Sequence, residues 1–130
     1  MLKRVFISGL LVLTLSSVMM AQVPLEPVVD LILKEKYGEA EKKLTEFTKM
    51  DKAPKNIDEV YYWLGKIQLI NDSYADAESY FQKGIEEKSR SLMNYAGLAR
   101  IRLKEDKLSD ANELLTKAEA MDQGKIRETS

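Results

Sequence analysis

The stretch that decides the fold is YADAESYFQKG, residues 74–84. It begins with a large apolar residue, followed two positions later by an acid and then by an alanine. A second large apolar residue comes four positions after the alanine. The same order recurs in YGEAEKKLTEF at residues 37–47 and in LSDANELLTKA at residues 108–118. The copies start at Tyr37, Tyr74 and Leu108, and recurrence at nearly equal intervals of this size is typical of arrays of helical hairpins.

The second and third copies lie within a longer repeat, in which residues 58–91 align with residues 92–125 without a gap. Eight aligned pairs are then identical, and nearly all of them fall on the apolar face of a helix or at a turn. Their first members are Tyr61, Leu64, Ile67, Leu69, Asp72, Asp76, Ala77 and Lys83. Apolar spacings of three and four predict helices, and no stretch alternates as a strand does. We therefore predict an all-α fold, an antiparallel helix-hairpin array (an α-solenoid) of about three repeats.

Local signals predict where individual helices begin and end. The first helix is expected from about Glu26 to Lys36, and residues 50–56 are predicted to form a connector. Asn56 and Ser73 precede apolar-periodic segments, so both are predicted to cap the following helix with their side chains.

The last helix is predicted to be lined by four apolar or small residues. They are Leu108, Ala111, Leu115 and Ala118. Residues 123–130 are polar and are expected to fray, as chain ends often do.

The segment from Leu64-Gly65 through Tyr74-Ala-Asp-Ala77 to Phe81-Gln-Lys-Gly84 resembles the tetratricopeptide repeat in period, order and spacing. The resemblance covers residues 58–91 and 92–125 well. Residues 22–54 resemble a degenerate first hairpin, and residues 126–130 are left as a polar tail. The departures from the family pattern are Gln68 and Arg102 in place of an aromatic residue or leucine, Ser89 and Gln123 in place of proline, and an insertion at 55–57.

The N-terminus carries the pattern of a secretory signal peptide, assigned to residues 1–21. Lys3 and Arg4 precede a charge-free apolar run at residues 5–20, and the small Ala21 suits cleavage. A cut near residues 16–17 is an alternative. The run is shorter than the roughly 20 residues that span a bilayer, so a cleaved signal is favoured over an anchor. We expect an exported protein, periplasmic or secreted, that meets a membrane only during export.

Composition excludes several classes of function. The chain has neither cysteine nor histidine, which removes disulfides, thiolate or imidazole metal sites, and any nucleophile served by a histidine base. Its 20 basic and 21 acidic residues nearly balance, whereas nucleic-acid binders usually show a basic excess. Neighbouring acids such as Glu86 and Glu87 point in different directions on a helix. We predict no enzymatic activity, no cofactor and no nucleic-acid partner.

In the family, the first helix of each pair lines a concave groove that receives a peptide or a partner helix. The resemblance implies groove positions at Glu59, Tyr62, Lys66, Leu69 and Ile70, at Met93, Ala96, Arg100, Leu103 and Lys104, and at Leu25, Val29, Ile32 and Leu33. We predict a protein-interaction module or scaffold whose partner segment has apolar anchors and some acidic character. The competing interpretation is that Lys66, Arg100 and Lys104 form a solvated surface without a binding role.

Two other roles stay open at this point. The array could associate with itself through the uncapped end of its last repeat. The chain could also be the N-terminal repeat region of a longer envelope protein. Some family members clamp a terminal carboxylate with asparagine and lysine. That activity is not predicted, because Lys66 and Arg100 occupy the matching asparagine sites.

Overall fold

The computed structural model describes residues 21–128, with side chains as far as residue 123. All regular structure in this part of the chain is helical, which confirms the all-α class. The helices are α1 Glu26–Leu33, α2 Tyr37–Thr48, α3 Ile57–Ile70, α4 Tyr74–Glu87, α5 Leu92–Lys104 and α6 Leu108–Glu128. None of these helices is both long and apolar enough to cross a bilayer. The predicted signal peptide, apart from its last residue, lies outside the described residues.

The helices form three hairpins whose tight turns share one backbone conformation. Each turn has a non-glycine residue with positive φ, namely Glu35 at 58°, Asp72 at 57° and Asp106 at 58°. The next N–H in each turn donates to the carbonyl five residues earlier, at 2.8, 2.9 and 2.8 Å. This bond is the one that closes a Schellman-type helix end. Each turn residue stands two positions before the start of a sequence copy, so the turns recur at the same intervals as the copies.

Two predicted helix ends are wrong. The first helix stops at Leu33 rather than near Lys36. The left-handed backbone of Glu35 cannot continue a right-handed helix, so the turn begins earlier. At the other end, α6 continues to Glu128 where fraying was predicted.

The two predicted side-chain caps are also wrong. Neither Asn56 nor Ser73 makes a capping hydrogen bond to its helix. The Asn56 amide is instead engaged by Val23. The Val23 N–H donates to Asn56 Oδ1 at 2.9 Å, and Asn56 Nδ2 donates to the Val23 carbonyl at 3.0 Å. These two bonds tie the segment before α1 to the start of α3.

The core consists of two apolar clusters. The first joins α1, α2 and α3 through residues that include Val28, Leu44 and Leu64. The second joins α4 and α5 around Phe81, which is fully buried. A Cβ built on Gly65 would lie 2.5 Å from the Phe81 ring, and one on Gly97 would lie 2.6 Å from it. The ring therefore fits between α3 and α5 only because both positions are glycine.

The outer face of the last hairpin differs from the prediction. Ala111 and Ala118 are buried, but Leu108 is 62% exposed and Leu115 is 44% exposed. Leu44 of α2 occupies the same repeat position as Leu115, and it is fully buried. The reason is positional, since α3 covers α2 and α5 covers α4, whereas no further helix of the described chain covers α6.

Candidate partner-binding groove

The candidate site lies on α3 and α5, the first helices of the second and third hairpins, which pack against each other. Two hollows lie toward opposite ends of this pair. We name them the cationic hollow, near the C-terminal ends of both helices, and the loop hollow, beside the α4–α5 connection. Six of the eight main residues predicted for the groove line one of these hollows, whereas Tyr62 and Leu103 line neither.

The cationic hollow has a volume of about 260 Å³. Four of the predicted residues line it together, which are Lys66, Leu69, Arg100 and Lys104. The remaining lining residues are Ile70, Asp72 and Tyr74. The Tyr74 hydroxyl donates to Asp72 Oδ1 at 3.2 Å and so occupies part of the only carboxylate in this hollow.

The three cations of this hollow have no carboxylate partner among the side chains that the structure describes. Within residues 21–123, none of Lys66, Arg100 and Lys104 forms a salt bridge. Partial burial lowers the pKa of Lys66, and the nearby charge of Arg100 lowers it further. Both effects disfavour the charged form of Lys66. The hollow therefore carries positive charge and is partly desolvated at Lys66, whereas Arg100 and Lys104 are exposed.

Tyr62 lies on α3 between Glu59 of the loop hollow and Lys66 of the cationic hollow, and it is half-buried. Its ring lies 6.1 Å from the Phe81 ring and 5.3 Å, edge-on, from the Trp63 ring. Burial raises the pKa of Tyr62, while the charge of Arg100 acts in the opposite direction. Tyr62 thus packs against neighbouring aromatic rings and lies within the electrostatic influence of Arg100.

The loop hollow is larger, with a volume of about 590 Å³. Glu59 and Met93 line it, together with Asp58 and residues 88–92. Met93 is 36% exposed and offers an apolar contact surface. Leu103, the eighth predicted residue, is 48% exposed and lines neither hollow.

The other groove positions implied by the family resemblance are only partly exposed to a partner. Ile70 and Ala96 are exposed. In the first hairpin, Leu33 is exposed and Val29 is half-buried, whereas Ile32 packs against the first core cluster. Leu25 is only 8% exposed and belongs to that core, so its predicted place in the groove is wrong.

A buried polar cluster beside the loop hollow is not predicted from the sequence. Ser91 Oγ donates to Asp58 Oδ2 at 2.9 Å, and Asn94 Nδ2 donates to the Asp58 carbonyl at 3.0 Å. Lys88 Nζ lies 3.3 Å from Asp58 Oδ1. The alignment of the last two repeats contained the signal, because it pairs the polar Asn94 with the buried Val60. The cluster joins the start of α3 to the start of α5.

Comparisons with known proteins add no assignment. No family model matches the chain, and neither a curated protein nor a solved structure matches it. Among the described side chains, no group of three or more acidic residues is arranged to hold a metal ion.

Proposed function

We propose that the chain is an exported, tetratricopeptide-type repeat protein that binds a segment of another protein along α3 and α5. Two observations support the repeat architecture. The three hairpin turns share one conformation and recur in step with the sequence copies. In addition, Gly65 and Gly97 make room for the ring that joins successive hairpins. Such arrays commonly use an extended surface formed by equivalent helices for binding.

The observation that carries the proposed binding role is the cationic hollow. Lys66, Arg100 and Lys104 converge on one concave site and have no carboxylate partner among the described residues. A solvated face predicts cations that are separated and fully hydrated, but burial and a neighbouring charge lower the pKa of Lys66. An acidic side chain of a partner would supply charge-assisted hydrogen bonds at this point.

Apolar side chains supply the second part of the proposed recognition. Leu69 lines the cationic hollow, and Ile70 beside it is 46% exposed. Partner segments that lie in a groove are generally held by apolar anchors together with a few directional polar contacts. The proposed partner is therefore a protein segment with an acidic residue close to an apolar one.

The binding proposal is tested by cross-linking the exported protein to its partners and identifying what is captured. The double variant Lys66→Glu/Arg100→Glu is expected to reduce capture of a true partner at least tenfold, because attraction becomes repulsion. The matched control is Lys42→Glu/Lys43→Glu on α2, which makes the same change of net charge at two exposed positions. Equal capture by parent and groove variant would refute the binding role of the hollow.

The proposed export is tested separately by sequencing the N-terminus of the protein recovered from cells. The pattern at residues 1–21 predicts a mature chain that begins at Gln22. Recovery of a chain that still begins at Met1 and stays with the cytoplasmic fraction would contradict the assignment.

A further inference from the structure

The outer face of α6 is built like the faces that lie between hairpins. Leu44 in α2, Phe81 in α4 and Leu115 in α6 occupy the same position in the three sequence copies. The first two are fully buried under the next helix, whereas Leu115 is 44% exposed. Leu108, on the same face of α6, is 62% exposed. The α6 face therefore continues an interface that the protein forms twice within itself.

A polar contact also repeats at the two internal interfaces. Gln68 Nε2 of α3 donates to Glu41 Oε1 of α2 at 3.0 Å. Arg102 of α5 pairs in the same way with Glu78 of α4. The position equivalent to Glu41 and Glu78 in the last hairpin is Asn112. It is exposed, and its side-chain amide has no partner in the described part of the chain.

The first hairpin does not offer a matching surface for a second copy in head-to-tail order. The positions of α1 that correspond to Trp63 and Ile67 of α3 are Glu26 and Asp30, and both are exposed. Stacking one copy on the next would press these two carboxylates against the leucines of α6. Asp30 pairs with Lys34 at 2.7 Å in a solvent-exposed position, and taking charged groups such as Glu26 and this pair out of water costs several kcal/mol per ion in real proteins. The α6 face and the α1 face are therefore not complementary.

The charges beside the exposed leucines favour a helix in one orientation. Glu119 and Asp122 are exposed and form no salt bridge within residues 21–123. A helix that packs on α6 as α5 packs on α4 runs antiparallel to it and places its first turn near these acids. The positive end of the helix dipole and basic side chains in that turn are stabilised by neighbouring carboxylates.

We propose that the outer face of α6 docks an amphipathic α-helix from another polypeptide. The helix lies antiparallel to α6, covers Leu108 and Leu115 with an apolar stripe, and presents a glutamine, lysine or arginine donor to Asn112. This surface is separate from the groove on α3 and α5, so the proposal stands independently of the proposed function.

The probe is a helix-stapled, fluorescent peptide with the sequence of residues 56–71, which contains α3. It carries Asp58→Lys and Glu59→Lys, because the natural first turn is acidic and would lie beside Glu119 and Asp122. The α2–α3 interface is the closer template, because Leu44 and Ala40 match Leu115 and Ala111 in type. Fluorescence anisotropy with the purified chain is expected to show saturable binding. Leu115→Lys is expected to weaken it at least about tenfold, the scale set by burial of one leucine side chain. The control Met50→Lys alters an apolar side chain of similar exposure, 49%, between α2 and α3, and is expected to leave the affinity unchanged.

A second peptide and a measurement of mass complete the test. In the peptide, Ile67→Lys is expected to abolish binding, because Ile67 is fully buried at the internal interface. Absence of saturable binding by the parent peptide, or equal binding to the Leu115→Lys chain, overturns the proposal. Sedimentation that shows a dimer of the chain lost in Leu115→Lys would assign the face to a second copy and overturn it as well. Circular dichroism verifies that each variant is folded.

Discussion

Leu44 and Leu115 are the same residue type at equivalent positions, yet truncating them should have very different costs. Leu44 is fully buried and Leu115 is 44% exposed. Leu→Ala removes about three carbons, worth ~2.4 kcal/mol when fully buried at ~0.8 kcal/mol each. The cavity left at a sealed site raises such losses to about 2–5 kcal/mol, so Leu44→Ala should lower the free energy of unfolding by about 3 kcal/mol. At Leu115 about half of the transfer term is present and no closed cavity forms, so Leu115→Ala should cost ~1 kcal/mol.

Urea denaturation measures both variants against the parent chain. Circular dichroism follows total helix, and the fluorescence of Trp63, the only tryptophan, follows the first core cluster. Both probes are needed because repeat arrays can unfold in parts. An equal loss at the two positions, or a larger loss for Leu115→Ala, would show that α6 is covered and would refute the reasoning from exposure.

Three further predictions concern particular contacts. Gly97→Ala places a methyl 2.6 Å from an aromatic ring and should lower stability by about 1–3 kcal/mol. The control is Gly38→Ala, where the added methyl has no atom within 4 Å beyond its chain neighbours and the local helix backbone. It should raise stability by ~0.5–1 kcal/mol, and thermal denaturation measures both variants. Asn56→Ala removes both hydrogen bonds to Val23 and should lower the free energy of unfolding by about 1–3 kcal/mol. Hydrogen exchange at the Val23 amide measures the loss, and an amide that stays protected in the variant would show that these bonds are unimportant. The pKa of Lys66 is lower in the folded chain than its ordinary value, so between the two values the unfolded chain binds more protons and stability rises with pH. Lys66→Met should therefore be more stable than the parent at neutral pH, and the difference should narrow as pH approaches about 10.4. A difference that is constant with pH would contradict that account.

The sequence predicted the elements that depend on repeating local patterns. The turns at Asp72 and Asp106 were marked by identical residues at equivalent repeat positions, and the structure places the same left-handed conformation at both. Caps were less predictable. Asn56 and Ser73 have the right identity for capping, but a cap prediction considers only the adjacent helix. It cannot take into account that Val23, distant in sequence, binds the Asn56 amide.

The sequence predicts which residues belong to the candidate site, but not how they are arranged in space. Lys66, Arg100 and Lys104 were chosen by their repeat positions, and they do surround one hollow. Glu59 and Met93 were chosen in the same way, yet they line a different hollow. The separation follows from helix length, because the 14 residues of α3 extend over about 21 Å. The exposure of Leu115 could not be inferred either, since an apolar pattern does not reveal whether another helix covers it.

The two proposed surfaces should respond to salt in opposite ways, and this difference assigns a newly found partner to one of them. Binding at the cationic hollow depends on Lys66 and Arg100, whose attraction for an acidic segment weakens as added salt shortens the screening length below about 8 Å. Such a ligand also relieves the unfavourable charge at Lys66, so it should raise the pKa of that side chain. Binding on α6 buries Leu108 and Leu115, and sulfate strengthens apolar burial because it is excluded from protein surfaces. A partner released by moderate salt therefore occupies the hollow, whereas one retained more tightly in sulfate occupies the α6 face.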